Sequence, residues 1–405
     1  MSGAYQGLRV LDFTHVIAGP LCTRMLADHG ADVIKIEPAD GDVIRRLPFP
    51  VAPDVSTQFT QYNCGKRSVA LDLKSPEGLE IARRLALRAD VVIENFSRGT
   101  MTRLGLDLGG LRADAPALVT CSISAFGSWG THAHKSGFGY VAEAHSGLMH
   151  LNGDDGDAPS HFGTPLSDMN VAVHAFGAIG AALFNCAATG EGTHIDLSAF
   201  DCMVSLIDHA LAAHAFGREF GRYGTRHPVI VPHGVIRAGD GRYVTFGVVD
   251  QVTWGRLCAV MGRPELETDP RFATFDDRIP NRHALYDLID EWAATVPDAD
   301  QLVEALQSRG VPCARVRTHV EVASDPHLVE RGTLAPVDIP GAGTILTQTA
   351  PHPLAGLDTV PRGPAPRLGE HTRSVLIDEL GFAAAEVEEL IAGGAAIVPG
   401  EAVNA

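Results

Sequence analysis

At 405 residues, with 45% hydrophobic and 20% charged residues, the chain has a globular composition and room for about two domains. Its 32 Lys and Arg against 49 Asp and Glu leave a net charge of −17. That balance excludes a general binder of nucleic acid or anionic membrane, which needs clustered cations, but leaves open a local basic pocket for one phosphorylated small molecule.

The first third alternates strand and helix. Leu8–Phe13 is an apolar run, Pro20–His29 has helical spacing at Leu21, Met25 and Leu26 and ends at Gly30, and Val33–Glu37 predicts a second strand. No cleavable leader is expected, because Leu8, Arg9 and Asp12 already sit in a strand. Ser68–Leu73, Val91–Asn95 and Leu118–Ser122 continue the theme, with Pro76–Arg88 an amphipathic helix. This pattern predicts an α/β fold with a doubly wound, mostly parallel sheet and right-handed crossovers.

A long helix is predicted from about Asp168 to Ala188. The uncharged stretch Asn170–Gly190 holds His174, Asn185 and many Gly and Ala, so it reads as a core helix rather than a membrane span. A strand at His194–Leu197 and a helix at Phe200–Phe216 follow. The large domain is read as residues 1–216, and the Gly-, Arg-, His- and Pro-rich stretch 217–232 as a linker. A hairpin turn at Asp240–Gly241, the strand Arg242–Val249 and helices at Gln251–Gly262, Arg282–Ala294 and Ala299–Arg309 make 233–317 a smaller α+β domain. Residues 318–405 read as an extended return segment, with a last helix at Glu386–Ala392 packing on the large domain. The seven cysteines are odd in number, scattered and without C-x-x-C, which predicts no zinc or disulfide framework and a reduced, cytoplasmic setting.

The loop Thr14–Pro20 follows strand one, at the sheet edge where doubly wound folds bind ligands. G-x-G-x-x-G is absent, which disfavours a nicotinamide dehydrogenase although Glu37 ends strand two. Asp168 stands at the head of the long helix. From spacing it reads first as an N-cap, a reading compatible with a nucleophilic carboxylate kept ionised by the helix N-terminus. His132 and His134 lack a carboxylate pair, and His209 and His214 are five apart, so no metal site is predicted. G-x-S-x-G, a P-loop and H-E-x-x-H are absent. Lys and Arg concentrate in the first domain, at Arg45, Arg46, Lys66, Arg67, Lys74, Arg103 and Lys135.

Together these residues resemble class III CoA-transferases, the CaiB/BaiF family. The blocks are Gly7–Val16, Ala18–Pro20, Leu26–Pro38 and Gly41–Asp42, then Asn63–Ser68, Leu71–Lys74, Glu94–Phe96 and Arg103–Gly105. Thr189–Gly192, Gly310–Cys313 and Leu368–Thr372 complete the set. The resemblance implies a Rossmann-like large domain, a smaller domain, and an interlocked homodimer of ring-like subunits. It puts the nucleophilic aspartate on Asp168. His15, Ala18, Leu71, Asp72, Leu73, Lys74, Asn95 and Arg103 would line the CoA site, with Arg103 facing the nucleotide phosphates and Lys135 a looser candidate. Ile17, Tyr140 and Glu143 fall in the acyl pocket. Coenzyme A would be a co-substrate, with no tightly bound cofactor and no metal, and the partners an acyl-CoA, a small carboxylic acid and a second copy of the chain.

Ile17 stands where the formyl-CoA enzyme has glutamine, and that enzyme's glycine-rich loop has no counterpart near Val229–Val235, which argues against formyl/oxalate exchange. Glu143 replaces a frequent glutamine, so it either alters the acyl pocket or hydrogen-bonds within it. The implied activity is CoA transfer from an acyl-CoA such as succinyl-CoA to a free acid. The alternatives are an α-methylacyl-CoA racemase, disfavoured because Phe126–Gly147 lacks Gly-His-Asp-x-Asn-Tyr, and a non-catalytic CoA-binding protein.

Overall fold

The computed structural model describes residues 3–52, 54–154 and 156–400. They divide into two compact units, one drawn from Met1–Leu148, Phe162–Asp208 and Asp325–Ala405, the other from Met149–His161 and His209–Ser324.

In the first unit the strands β1 (Arg9–Asp12), β2 (Asp32–Glu37), β3 (Arg67–Leu71), β4 (Val91–Glu94), β5 (Val119–Ser124), β6 (His194–Ser198) and β7 (Ala396–Ile397) form one sheet. Their order is β7-β3-β2-β1-β4-β5-β6. All neighbours among β1–β6 are parallel, with Leu11 opposite both Ile34 and Val92, and β7 closes one edge antiparallel to β3. Its helices include α1 (Ala18–Asp28), α2 (Thr57–Asn63), α3 (Pro76–Ala86), α4 (Thr100–Leu104), α5 (Leu108–Asp114), α6 (Gly139–Ser146) and α7 (Leu166–Thr189).

Helix α3 shows how local sequence sets these elements. Ser75 Oγ accepts the Gly78 N–H at 3.0 Å and Pro76 opens the first turn, where its missing N–H costs nothing. Arg83 and Arg84 sit at the negative end, and Ile81, Ala82 and Leu85 face inward.

Alternation along the strands sorts the core into two layers. Val10, Val33, Val91, Ile93, Val119 and Cys121 point to the face covered by α1 and α7. Leu11, Ile34, Val69, Leu71 and Val92 point to the other, covered by α3, α4 and α5. The β4–β5 connection therefore crosses one face, while the β5–β6 connection, which carries α6 and α7, crosses the opposite face in the same direction along the sheet. Its hand is opposite to that of its neighbour, and the expectation of right-handed crossovers throughout is corrected at this point. The small residues Ala172, Ala175 and Ala182 let α7 pack with α1 on a shared apolar layer, which holds the unusual path in place. The far side of β5 and β6 gets no helix from this connection and is polar. Thr120, Ser122, Ser124, His194 and Asp196 line a cavity of about 350 Å³ there.

Three further expectations are corrected. The long helix starts at Leu166, two residues before Asp168, so Asp168 lies in its first turn instead of capping it. The helix expected over Phe200–Phe216 is two short ones, Ala199–Val204 and Ala210–His214. Ser205 Oγ donates to the Cys202 carbonyl at 2.7 Å just after the first, the local competition by which serine ends helices. The return segment is not simply extended, because Leu334–Ile339 and Gly343–Gln348 pair as an antiparallel hairpin. Gly341 in its turn and Gly343 at the start of the second strand adopt positive φ.

The second unit has an antiparallel sheet of Cys313–Arg315, Tyr243–Gly247 and His233–Arg237, in that order. Helices Gln251–Val260, Arg282–Thr295 and Ala299–Gln307 bury Trp254, Leu257, Leu285 and Leu302 against Phe246.

Candidate active site

The loop from β1 to α1 is held from below by buried charge. Asp12, the last residue of β1, accepts hydrogen bonds from Thr14 N at 2.9 Å, Thr14 Oγ1 at 2.5 Å, Thr23 Oγ1 at 2.6 Å and Lys66 Nζ at 3.0 Å. Burial alone would raise its carboxyl. The Lys66 and Lys35 ammonium groups and the two hydroxyls outweigh burial and hold it at about 2. Lys35 donates to the Thr14 carbonyl at 2.6 Å and pairs with Asp42 at 3.1 Å. Asp42 in turn accepts the Val16 N–H at 3.1 Å. Val16 has φ +69°, a conformation that β-branched residues rarely adopt. The sequence Asp12–Lys35–Asp42–Lys66 thus spends four buried charges on fixing one strained loop.

Of the residues expected to meet CoA, His15 and Asn95 come together. The His15 N–H donates to Asn95 Oδ1 at 2.9 Å and Asn95 Nδ2 donates to the His15 carbonyl at 2.8 Å. The His15 ring stacks on Phe96 at 5.6 Å, and burial lowers its pKa. Ile17 and Ala18 are buried where α1 begins, and no side chain caps that helix. Arg103 is exposed on α4, its guanidinium bonded to Thr100 Oγ1 at 2.7 Å and to the Arg98 carbonyl. After β3, Asp72 and Leu73 are half-buried and Lys74 is exposed. The Leu71 side chain is wholly inside the core. Lys135 is exposed, with Nζ 3.3 Å from His145 Nε2, and belongs to a ring cluster of Phe126, His132, His145 and Phe200.

Asp168 is half-buried in the first turn of α7. The helix cap is Pro165, which has no side chain able to accept the orphan N–H groups. Glu143 of α6, fully buried, does so instead, its Oε1 accepting the Ser167 N–H at 3.2 Å. One turn earlier on α6, Gly139 lies against the nucleophile candidate, so that a Cβ there would fall 2.6 Å from Asp168 Oδ2. Only glycine leaves that space. Burial raises the Asp168 carboxyl, the charge of Glu143 raises it further, and it comes to about 6. The helix N-terminus, expected to keep the group ionised, is outweighed by these two effects. Tyr62 of α2 packs with Ile17, and its hydroxyl is pushed up by burial, with a contribution from Asp168. Tyr140 is exposed beside this cluster on α6.

Sequence reasoning missed Tyr62, Gly139, Ser167 and Asp42 as parts of the site. A trace of Gly139 was visible, since Gly137-Phe138-Gly139 opens a helix with a poor helix former. A half-buried carboxyl raised to about 6 in the first turn of a helix is suited to covalent nucleophilic chemistry on an electrophilic carbonyl.

Comparison with known proteins identifies the family. The model of CoA-transferase family III matches residues 5–372. A succinyl-CoA:mesaconate CoA-transferase of Haloarcula hispanica is 38% identical over 94% of this chain and 97% of its own length. A formyl-CoA:oxalate CoA-transferase of Streptomyces avermitilis is 34% identical over 97% of this chain and 100% of its own. A CaiB/BaiF family protein from Brucella suis, known as a crystal structure, superposes with a TM-score of 0.83 at 33% identity, covering 93% of this chain and 100% of that one. With the fold, the loop and the aspartate in place, the chain belongs to CoA-transferase family III and is a CoA-transferase.

Proposed function

We propose that this enzyme moves CoA from a small acyl-CoA, succinyl-CoA foremost, to a free carboxylic acid, with Asp168 as the nucleophile. The observation that carries the reading is the Asp168 carboxyl itself, half-buried at the head of α7, raised to about 6, and held by no salt bridge among the described residues. An Asp168 oxygen attacks the thioester carbonyl, the C–S bond breaks, and CoA thiolate leaves a mixed anhydride behind. The thiolate then attacks the aspartyl carbonyl and expels the donor acid, giving an aspartyl-CoA thioester. The acceptor carboxylate attacks that thioester and releases the thiolate again. Thiolate attack on the acyl carbonyl of this second anhydride yields the new acyl-CoA and restores Asp168.

Each intermediate is destroyed by water, so the half-buried position is functional as well as structural. His15, Ala18, the 71–74 segment, Asn95 and Arg103 serve the CoA moiety, Arg103 at the phosphates. Lys135 borders the site, and Ile17, Tyr140 and Glu143 shape the acyl end. All the residues proposed for this machinery lie in the first compact unit. Succinyl-CoA as donor is supported by the name of the Haloarcula relative.

The working form is an interlocked homodimer. α7 is long and apolar enough to cross a membrane by length and composition, yet one side of it packs into the core beneath the sheet. Its other side leaves Val173 and Phe184 58% and 81% exposed, a surface suited to a second copy of the chain. All seven cysteines are free thiols, which supports a cytoplasmic setting.

The test is a panel of acyl-CoAs against free acids, read by mass spectrometry, with deuterium exchange at the acyl α-carbon run in parallel. Transfer of CoA to free acid without α-exchange is expected. α-Exchange without transfer would make the protein a racemase.

A further inference from the structure

The residue beside the nucleophile explains more than a pocket wall would. Helix α7 opens on Pro165, and the N–H of Ser167 is accepted by Glu143, 24 residues earlier in the chain. Glu143 and Gly139 are one turn apart on α6 and so share a face. That face meets the first turn of α7 at two points, with Gly139 against Asp168 Oδ2 and Glu143 on the Ser167 amide. Because α6 approaches so closely, the carboxylate that caps the helix is also the one whose charge reaches Asp168.

We propose that Glu143 is the positioning residue of the nucleophile, capping α7 in trans and using its negative charge to make the Asp168 carboxylate a stronger attacking group. This rests on Asp168 being the acylated residue. A glutamine at 143 could still accept the Ser167 N–H through its side-chain oxygen but would carry no charge, so the two contributions separate in one substitution. The titratable groups whose interaction with Asp168 is evident are Glu143 from α6 and Tyr62 from α2. Tyr62 is neutral across the working range, since its hydroxyl is raised above the ordinary tyrosine value. Glu143 is therefore the group that adjusts Asp168 near neutral pH.

The experiment is the pH profile of kcat/KM for the full-length native enzyme, E143Q and E143D, with the covalent adduct on Asp168 followed by quench and mass spectrometry in each. The native acid limb is expected near pH 6. In E143Q it should move down by roughly one pH unit, with kcat reduced several-fold at pH 8 and KM for the acyl-CoA changed less than kcat. E143D, which restores the charge, should bring the limb back toward the native position. A purely structural role would lower activity in E143Q without moving the limb, and that result overturns the proposal. A native limb at about 4, the ordinary carboxylate range, overturns it even if E143Q does not fold. If no adduct forms on Asp168 in the native enzyme, the nucleophile assignment itself fails, a separate outcome from an adduct that forms with an unmoved limb.

Discussion

Two aspartates in one unit, Asp12 fully buried and Asp168 half-buried, are pushed in opposite directions. Asp12 ends β1 with Lys66, Lys35 and two hydroxyls around it and is held at about 2. Asp168 lies in the first turn of α7 with a second carboxylate nearby and is lifted to about 6. Burial pushes both carboxyls upward, so the opposite outcomes come from the sign of the neighbouring charge. A fully paired carboxylate is inert and serves as a foundation. A carboxylate crowded by its like stays basic and available to a carbonyl, and the fold carries that cost for function.

The largest expected effect comes from removing the second aspartate. Asp168→Ala should lower transfer by about a thousandfold or more while circular dichroism and the association state are unchanged, as loss of a covalent nucleophile requires. Substantial residual turnover would take Asp168 out of the mechanism. Asp12→Asn should act on the foundation instead. Breaking a buried pair leaves Lys66 without its carboxylate, while Lys35 keeps Asp42, and a loss of about 3–5 kcal/mol in unfolding free energy is expected. The sign with pH follows from the lowered carboxyl. Its stabilisation is present above the ordinary value near 3.8 and disappears as pH falls toward about 2, so the difference between native and variant should shrink in acid.

The same reasoning reverses at Asp168. A carboxyl raised to about 6 costs the folded state nothing below about 3.8, increasingly more between the two values, and the full amount above 6. Asp168→Asn should therefore stabilise the protein by about 1–2 kcal/mol at pH 8, with no gain at pH 3.5, while abolishing activity. Equal melting temperatures at pH 8 would show that the site carries no such strain. The smallest effect is expected at an exposed cation. Arg103→Ala on exposed α4 should raise KM for the acyl-CoA about tenfold with kcat within about twofold. An unchanged KM would remove Arg103 from the phosphate end.

Much of this was legible in the residues. The runs at Leu8–Phe13, Val33–Glu37 and Val91–Asn95 mark parallel strands because both their faces are covered, and the family blocks led to Asp168, His15 and Asn95. What stayed hidden depends on partners distant in the chain. The alternation of Val119–Ser124 shows that one face of β5 is polar, but not that α7 would choose the α1 side and leave that polar face as a cavity. A proline cap predicts an uncapped helix, and nothing local to Pro165 reveals that Glu143 supplies the cap from another helix. The hairpin at 334–348 was lost in a Pro- and Gly-rich stretch whose Gly341 lies in its turn. Local pattern specifies elements well; which side of a sheet they cover is settled by packing.

The most direct test is mass analysis of enzyme quenched during turnover with an acyl-CoA donor and digested to peptides. An acyl or CoA adduct confined to the peptide containing Asp168, and absent from Asp168→Ala, is the predicted result. Steady transfer with that peptide always unmodified would contradict covalent catalysis at the head of α7.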